Sequence, residues 1–214
     1  MAAALTVISS MATRKLLAEL LASLPGVPAT VESVGGVDAV VLGADAIDRL
    51  MADDHRRAGS RVDLVRSGVA LAVRAGAPRP DLSSAQAVKA AVLAARHIGY
   101  STGPSGVALA ALFERWGIAG QVQAKLVVPP PGTPVGALIA SGEIELGFQQ
   151  LSELMFLPGI DVVGPLPDEI QITTVFAGAV ASASRQPQAA RALLEALADP
   201  ALTAIKRANG MDSA

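Results

Sequence analysis

The chain has 214 residues, of which 51% are hydrophobic and 17% charged, a balance that excludes disorder driven by weak hydrophobicity and self-repulsion. Its formal net charge is −2, its longest basic run is Arg56-Arg57 and its aromatic content is 3%, so neither a polyanion-holding field nor a base-stacking platform is present and nucleic acid is excluded as a partner. With no Cys and only two His, His55 and His97, the sequence predicts no disulfide, no thiolate nucleophile, no metal site and no cofactor built on such ligands.

Residues 5–8 read as a short buried strand that runs directly into Ser9-Ser10. Residues 12–24 follow as a helix, with Leu16, Leu17, Leu20, Leu21 and Leu24 on one face and Pro25-Gly26 ending it. Residues 37–42 form a second apolar strand, after which Asp45 is predicted to cap a short helix running to Met51. Beyond the charged loop 52–61, residues 62–74 read as one extended segment interrupted by Arg66-Ser67-Gly68, and 76–80 as a stiff connector. Ser83 or Ser84 caps a helix to Ala95, residues 97–100 form a strand, and 101–106 make a small-residue turn before a helix over 107–116. A strand over 124–128 is stopped by Pro129-Pro130-Pro131; a helix over 133–141 and strands over 145–149 and 160–163 follow. Residues 171–183 are again extended, and 187–198 and 201–208 are terminal helices, with Gly210 as a C-terminal cap.

Strands alternating with helices predict an α/β protein with mainly parallel sheets flanked by helices. The two long extended segments bracket a block of their own, so two lobes are expected: residues 1–72 with 176–214, and residues 73–175. A ligand would lie between the lobes, at the carboxyl ends of strands and the starts of helices. The longest uncharged apolar stretches, 106–113 and 175–181, fall far short of the roughly 18–20 residues of a membrane-spanning helix. The first basic residue, Arg14, follows the N-terminal apolar stretch instead of preceding it, so no secretory signal is read. A cytoplasmic location is expected for the sequence as written, and a periplasmic one if it is a processed mature form.

Two turns carry hydroxyl residues where a strand gives way to a helix: Ser9-Ser10, and Ser101-Thr102-Gly103-Pro104-Ser105-Gly106. Such residues either cap the helix or, together with free backbone N–H groups and the helix dipole, hold an anion. Arg66, in an apolar segment, is expected to have a partner, either a bound anion or one of Asp38, Asp45 and Asp63. Gln149 ends a strand and offers an amide to a ligand, and Glu153, four residues on, is a general-base candidate or a solvated surface group. Tyr100 adjoins the second turn, where its hydroxyl reaches the ligand or only satisfies a core contact. His55 and His97 lack spaced acid or nucleophile partners and read as structural or exposed.

Residues 61–69 (RVDLVRSGV), 98–106 (IGYSTGPSG) leading to 114–118 (ERWGI), 142–153 (GEIELGFQQLSE) and 162–167 (VVGPLP) carry a resemblance over nearly the whole chain. It is to the type II periplasmic binding proteins of the molybdate-binding-protein-like branch. The resemblance implies a hinged two-lobed α/β fold that takes a small anion in its cleft, with Ser9, Ser10 and Ser101 among the contacts. If the protein is exported, it further implies an ABC permease as partner. The same branch contains isomerases similar to aconitate isomerase, for which Arg66 and the serine turns would hold carboxylates and Glu153 or Tyr100 would move the proton. Relatives carry a small-residue turn and a helix before the strand at 37–42 where this sequence runs almost straight on; the shortening implies either a cleft opened to a larger ligand than molybdate or one left without useful affinity.

Overall fold

The apolar run that begins the chain alternates in burial along β1 (Leu5–Ser9): Leu5, Val7 and Ser9 point inward, as period-two geometry requires. The computed structural model that shows this describes residues 4–24, 28–32, 37–52, 60–130 and 132–214. Pro25-Gly26, the predicted connection over 33–36, the loop containing His55 and Arg56-Arg57, and Pro131 lie outside the described residues.

The chain divides into two compact units, Met1–Ser67 with Thr174–Ala214, and Gly68–Thr173. In the first unit α1 (Met11–Ser23) follows β1, and β2 (Ala29–Glu32) and β3 (Ala39–Gly43) flank β1, both parallel to it. Residues 33–38 join these two strands, fewer than the roughly dozen residues that a parallel crossover ordinarily takes. After α2 (Ala44–Ala52), β4 (Val62–Arg74) carries the chain out of this unit, and β9 (Thr173–Val180) brings it back, pairing antiparallel with β3. The chain then adds α8 (Pro187–Ala198), α9 (Thr203–Ala208) and the short β10 (Asp212–Ser213), which pairs antiparallel with β4 at Arg66 and Val65. Leu16, Leu17 and Leu20 of α1 and Leu193, Leu194 and Leu197 of α8 close one core with Leu5, Val7 and Val41. Val40, Ile47, Ala177 and Ala179 form a second core on α2.

In the second unit the order of elements is α3 (Ala85–Ala94), β5 (Ile98–Tyr100), α4 (Pro104–Arg115), α5 (Ala119–Gln123), β6 (Leu126–Val127), α6 (Val135–Ser141), β7 (Leu146–Gln150), α7 (Leu151–Leu154) and β8 (Ile160–Pro165). β5 lies between β6 and β7, parallel to both, while β7 and β8 pair antiparallel with the second half of β4. Alternation along β4 covers both faces. Val69, Leu71 and Val73 pack under α3 and α4 with Leu109, Leu112 and Phe113, while Ala70 and Ala72 pack under α6 with Val135 and Ile139. The small Ala residues lie where α6 sits. Each unit is thus an α/β sheet with parallel strands inside and an antiparallel ladder wherever a crossover strand joins. Among the described residues no helix is long and apolar enough to cross a membrane.

Several local readings change, among them the following. The helix after the second serine turn starts at Pro104, earlier than 107, because Pro is pre-organised for the first helical position. Asp45 lies inside the first turn of α2 rather than at its cap. Residues 119–123, where no element was predicted, form α5.

Candidate functional site

In the first unit β1 delivers Ser9 and Ser10 to the start of α1. Ser10 has the extended geometry of an N-cap, yet its side chain makes no capping bond. It shares a 3.0 Å hydrogen bond with Thr13 Oγ1 instead, and Ser9 Oγ donates to the Ser10 carbonyl at 2.9 Å. The Ser10 N–H donates to the Val41 carbonyl at 3.0 Å, which ties the turn to β3. The hydroxyls are engaged with one another and with a carbonyl, so neither serine side chain closes the first-turn N–H groups of α1, where the positive end of the helix dipole lies.

The second unit repeats this arrangement. Gly103 stands at the N-cap of α4 and has no side chain to cap with, Pro104 follows, and Ser101 Oγ and Ser105 Oγ share a 3.1 Å hydrogen bond. Gly106 is required here, because a Cβ at this position would collide with the Ser101 carbonyl oxygen. Ser105 is buried and Thr102 exposed. The Tyr100 ring packs edge-on against Phe113 with centroids 6.0 Å apart, and burial pushes its hydroxyl above the ordinary phenol range. It also lines a cavity of about 250 Å³ with Phe113, Glu114, Val122 and Gln123. Tyr100 is therefore a packed, protonated residue at neutral pH.

Beside this turn lies the end of β7. Tyr100 pairs with Phe148 in the parallel ladder, so the residues that follow, Ser101 and Gln149, leave the same edge of the sheet at the same level. Gln149 is 2% exposed, and its Oε1 accepts the Val135 N–H at 3.0 Å. Burial pushes the nearby Glu153 carboxyl up to about 7, and the polar Gln149 amide only partly offsets this. Next to it Ser152 Oγ is buried and, among the described residues, has no hydrogen-bond partner. Sequence reading passed over Ser152, and its position inside the QQLSE run was the available signal. Glu153 is half-buried, so it is not a fully solvated surface group.

Arg66 departs from expectation. It lies on the exposed side of β4, and among the described residues it makes no ion pair, so burial imposes no partner on it. The acids considered for it are partly engaged elsewhere: Asp38 accepts from Thr6 N–H at 3.1 Å and Ser184 Oγ at 2.6 Å, and Asp63 pairs with Arg61 at 2.8 Å. His97 is exposed. Among the described residues no group of three or more His, Asp or Glu gathers as a metal site would need. In sum, Ser9, Ser10 and Arg66 belong to the first unit, while Tyr100, Ser101, Thr102, Ser105, Gln149 and Glu153 belong to the second.

Comparison with known proteins adds a family to this geometry. An aconitate isomerase from a Pseudomonas species is 47% identical over 162 residues, which take in 75% of this chain and 62% of that protein's length. The fold matches the Azotobacter vinelandii periplasmic molybdate-binding protein with a TM-score of 0.76 at 18% identity, over 97% of this chain and 98% of that one. It also matches the substrate-binding domain of a putative molybdenum ABC transporter from Clostridium difficile, with a TM-score of 0.73 at 16% identity over 98% of each chain. The fold is therefore that of the two-lobed type II periplasmic binding proteins. The family model described as bacterial extracellular solute-binding protein matches residues 5–212, and the chain belongs to that family.

Proposed function

We propose that this protein binds a small organic polycarboxylate and isomerises it by moving a proton, with Glu153 as the acid–base group. The feature that carries the reading is the half-buried Glu153 beside the end of β7, whose carboxyl burial pushes up to about 7, where a general base combines adequate population with adequate strength. The 47% identity to a protein named aconitate isomerase supports an unsaturated tricarboxylate as substrate. The carboxylate groups bind to the hydroxyls and first-turn N–H groups at Ser9, Ser10, Ser101, Thr102 and Ser105, and to the exposed Arg66 guanidinium.

Glu153 in its ionised form removes a proton from the CH₂ group next to the carbon–carbon double bond. The C–H electron pair spreads over the three-carbon allylic system and its carboxylates, which removes the fixed double bond. Rotation follows, and the now neutral Glu153 returns the proton, restoring a double bond and the enzyme's carboxylate. Nothing is oxidised or reduced, and no co-reactant is consumed.

Incubating cis- or trans-aconitate with the protein in deuterated buffer, followed by proton NMR, tests this. Interconversion accompanied by solvent deuterium at the CH₂ position is expected, and Glu153→Gln should slow it by about 10²–10⁴-fold. A flat time course with both acids would exclude the reading. The alternative is a binding protein for a small anion without chemistry, delivering it to an ABC permease, and the match to the solute-binding family model favours it. Under that reading molybdate, tungstate, sulfate or a carboxylate raises the melting temperature while no substrate is turned over.

A further inference from the structure

The α4–α5 hairpin of the second unit encloses space that its own side chains do not fill. Gly117 turns the chain in the left-handed conformation (φ 68°), its N–H donating to the Glu114 carbonyl at 2.9 Å, and the Ile118 N–H donates to the Phe113 carbonyl at 3.1 Å, so α5 folds back beside α4. The first residues that α5 brings there are small, Ala119 and Gly120, and a Cβ added at Gly120 would meet nothing within 4 Å. What remains is the cavity of about 250 Å³ that Tyr100 lines. An apolar cavity of about 150 Å³ holds benzene, so this one has room for a ring-sized body and a short arm.

The lining divides into a floor and a mouth. Phe113 and Val122 are buried and Tyr100 is half-buried, whereas Glu114 and Gln123 are exposed. Among the described residues the Tyr100 hydroxyl, the Glu114 carboxylate and the Gln123 amide have no hydrogen-bond or ion-pair partner. Glu114 is the one charged residue of the lining, and Lys89, on the α3 helix packed against α5, is occupied with the Trp116 carbonyl at 2.9 Å. An anion would therefore meet a like charge and no base. A primary ammonium brings three N–H donors and no acceptor, and the lining offers three unused oxygen acceptors.

We propose that the cavity between α4 and α5 is a binding site for a small primary ammonium ion with an apolar body about the size of a benzene ring. The body is buried against Tyr100, Phe113 and Val122, and the ammonium group donates to the Glu114 carboxylate, Gln123 Oε1 and Tyr100 Oη. The site lies wholly within the second unit and does not rest on the isomerase reading.

The experiment is a titration of the nitrogen-15-labelled full chain with phenethylammonium, followed by NMR, with 2-phenylethanol and 3-phenylpropionate as its neutral and anionic counterparts. Phenethylammonium should shift the amide resonances of Ala119, Gly120 and Gln123 saturably at millimolar concentration, the alcohol should bind more weakly and the carboxylate not at all. Glu114→Gln should weaken ammonium binding about two- to fivefold at low ionic strength, and the difference should close in about 1 M salt. Gly120→Leu places a side chain in the open space, and because leucine is the better helix former the fold should persist while binding is lost. No saturable shift, an alcohol or carboxylate that binds as tightly as the ammonium, or a folded Gly120→Leu protein that binds like the wild type would each overturn the proposal. The comparison of the three probes needs only the wild-type chain, so a variant that failed to fold would not shelter it.

Discussion

Helix starts in this protein are of two kinds. At α3, Ser84 Oγ accepts the Ala87 N–H at 3.1 Å and Glu169 accepts the Ala85 N–H at 2.5 Å, so the first turn is closed by side chains. At α6, Gln149 reaches over from β7 to do the same for Val135. At α1 and α4 the serines are present but bond with one another or with neighbouring groups, Ser10 to Thr13 and Ser101 to Ser105, and no capping side-chain bond forms. The contrast teaches that serine at a strand-to-helix turn is not by itself a cap. Where a fold needs only stability, the hydroxyl meets the backbone; where the first turn is left without a cap, donors and dipole stay available to an anion.

The harshest way to break this contrast is at Gly106. Alanine there drives its Cβ into the Ser101 carbonyl, and the turn has no flexible side chain that can yield. Gly106→Ala should cost about 3 kcal/mol or more in urea denaturation and abolish anion-induced thermal stabilisation. A variant of wild-type stability would mean that the turn is not built as described.

Next in size is Glu153, whose burial makes it a cost to the fold. In the unfolded chain its carboxyl ionises near the usual 4.5; in the folded protein it ionises near 7, so the native state keeps the proton through that window. The folded pKa is the higher one, so the stability linked to this group is complete below about 4.5 and is lost as pH rises through about 7. Between these limits the wild type should lose on the order of 1–3 kcal/mol relative to Glu153→Gln, which cannot ionise. Parallel stability curves from pH 4 to pH 8 would show that Glu153 is solvated after all.

How far the sequence reached depended on how local each cause was. The turns at 9–10 and 101–106, the leucine face of α1 and the cap at Ser84 were legible, because each is written in a few adjacent residues. The antiparallel ladders were not, since they arise from the return of β9 beside β3 and of β7 beside β4, which no local pattern encodes. The same holds for the site. Glu153 and Gln149 stood out as polar residues at a strand end, but the bond from the Val135 N–H to Gln149 depends on α6 lying over Gly147, and the orphaned Ser152 hydroxyl depends on burial. Arg66 was misjudged because its apolar neighbours Leu64 and Val65 are both buried while its own side chain turns outward, a break in alternation that composition hides.

A paired experiment sharpens the comparison directly. Ser84→Ala should lower stability by about 1 kcal/mol and leave ligand affinity unchanged, because Ser84 is spent on α3. Ser101→Ala should do the reverse, weakening anion binding about tenfold while changing stability by less than its counterpart, since only a hydroxyl pair is lost. Isothermal titration and urea denaturation of both variants give four numbers, and the same pattern in the two proteins would erase the distinction between closed and open starts.

Arg66 should give the smallest effect, and the reason lies in its exposure. A guanidinium in water forms ion pairs worth only about 0.2–1 kcal/mol, because solvent screens the charge and the long side chain must be ordered. Arg66→Ala should therefore leave unfolding unchanged to within about 0.5 kcal/mol, as expected for a side chain without an ion pair among the described residues. Affinity for a tricarboxylate should fall two- to fivefold at low ionic strength, by about the amount one screened pair supplies. That difference should disappear in 1 M salt, where the screening length drops to about 3 Å, whereas the loss in Ser101→Ala should persist because a short hydrogen bond from a neutral hydroxyl is far less sensitive to salt than a charge pair. A salt-independent loss on removing Arg66 would place its guanidinium out of water in the complex and make it a principal contact to the ligand.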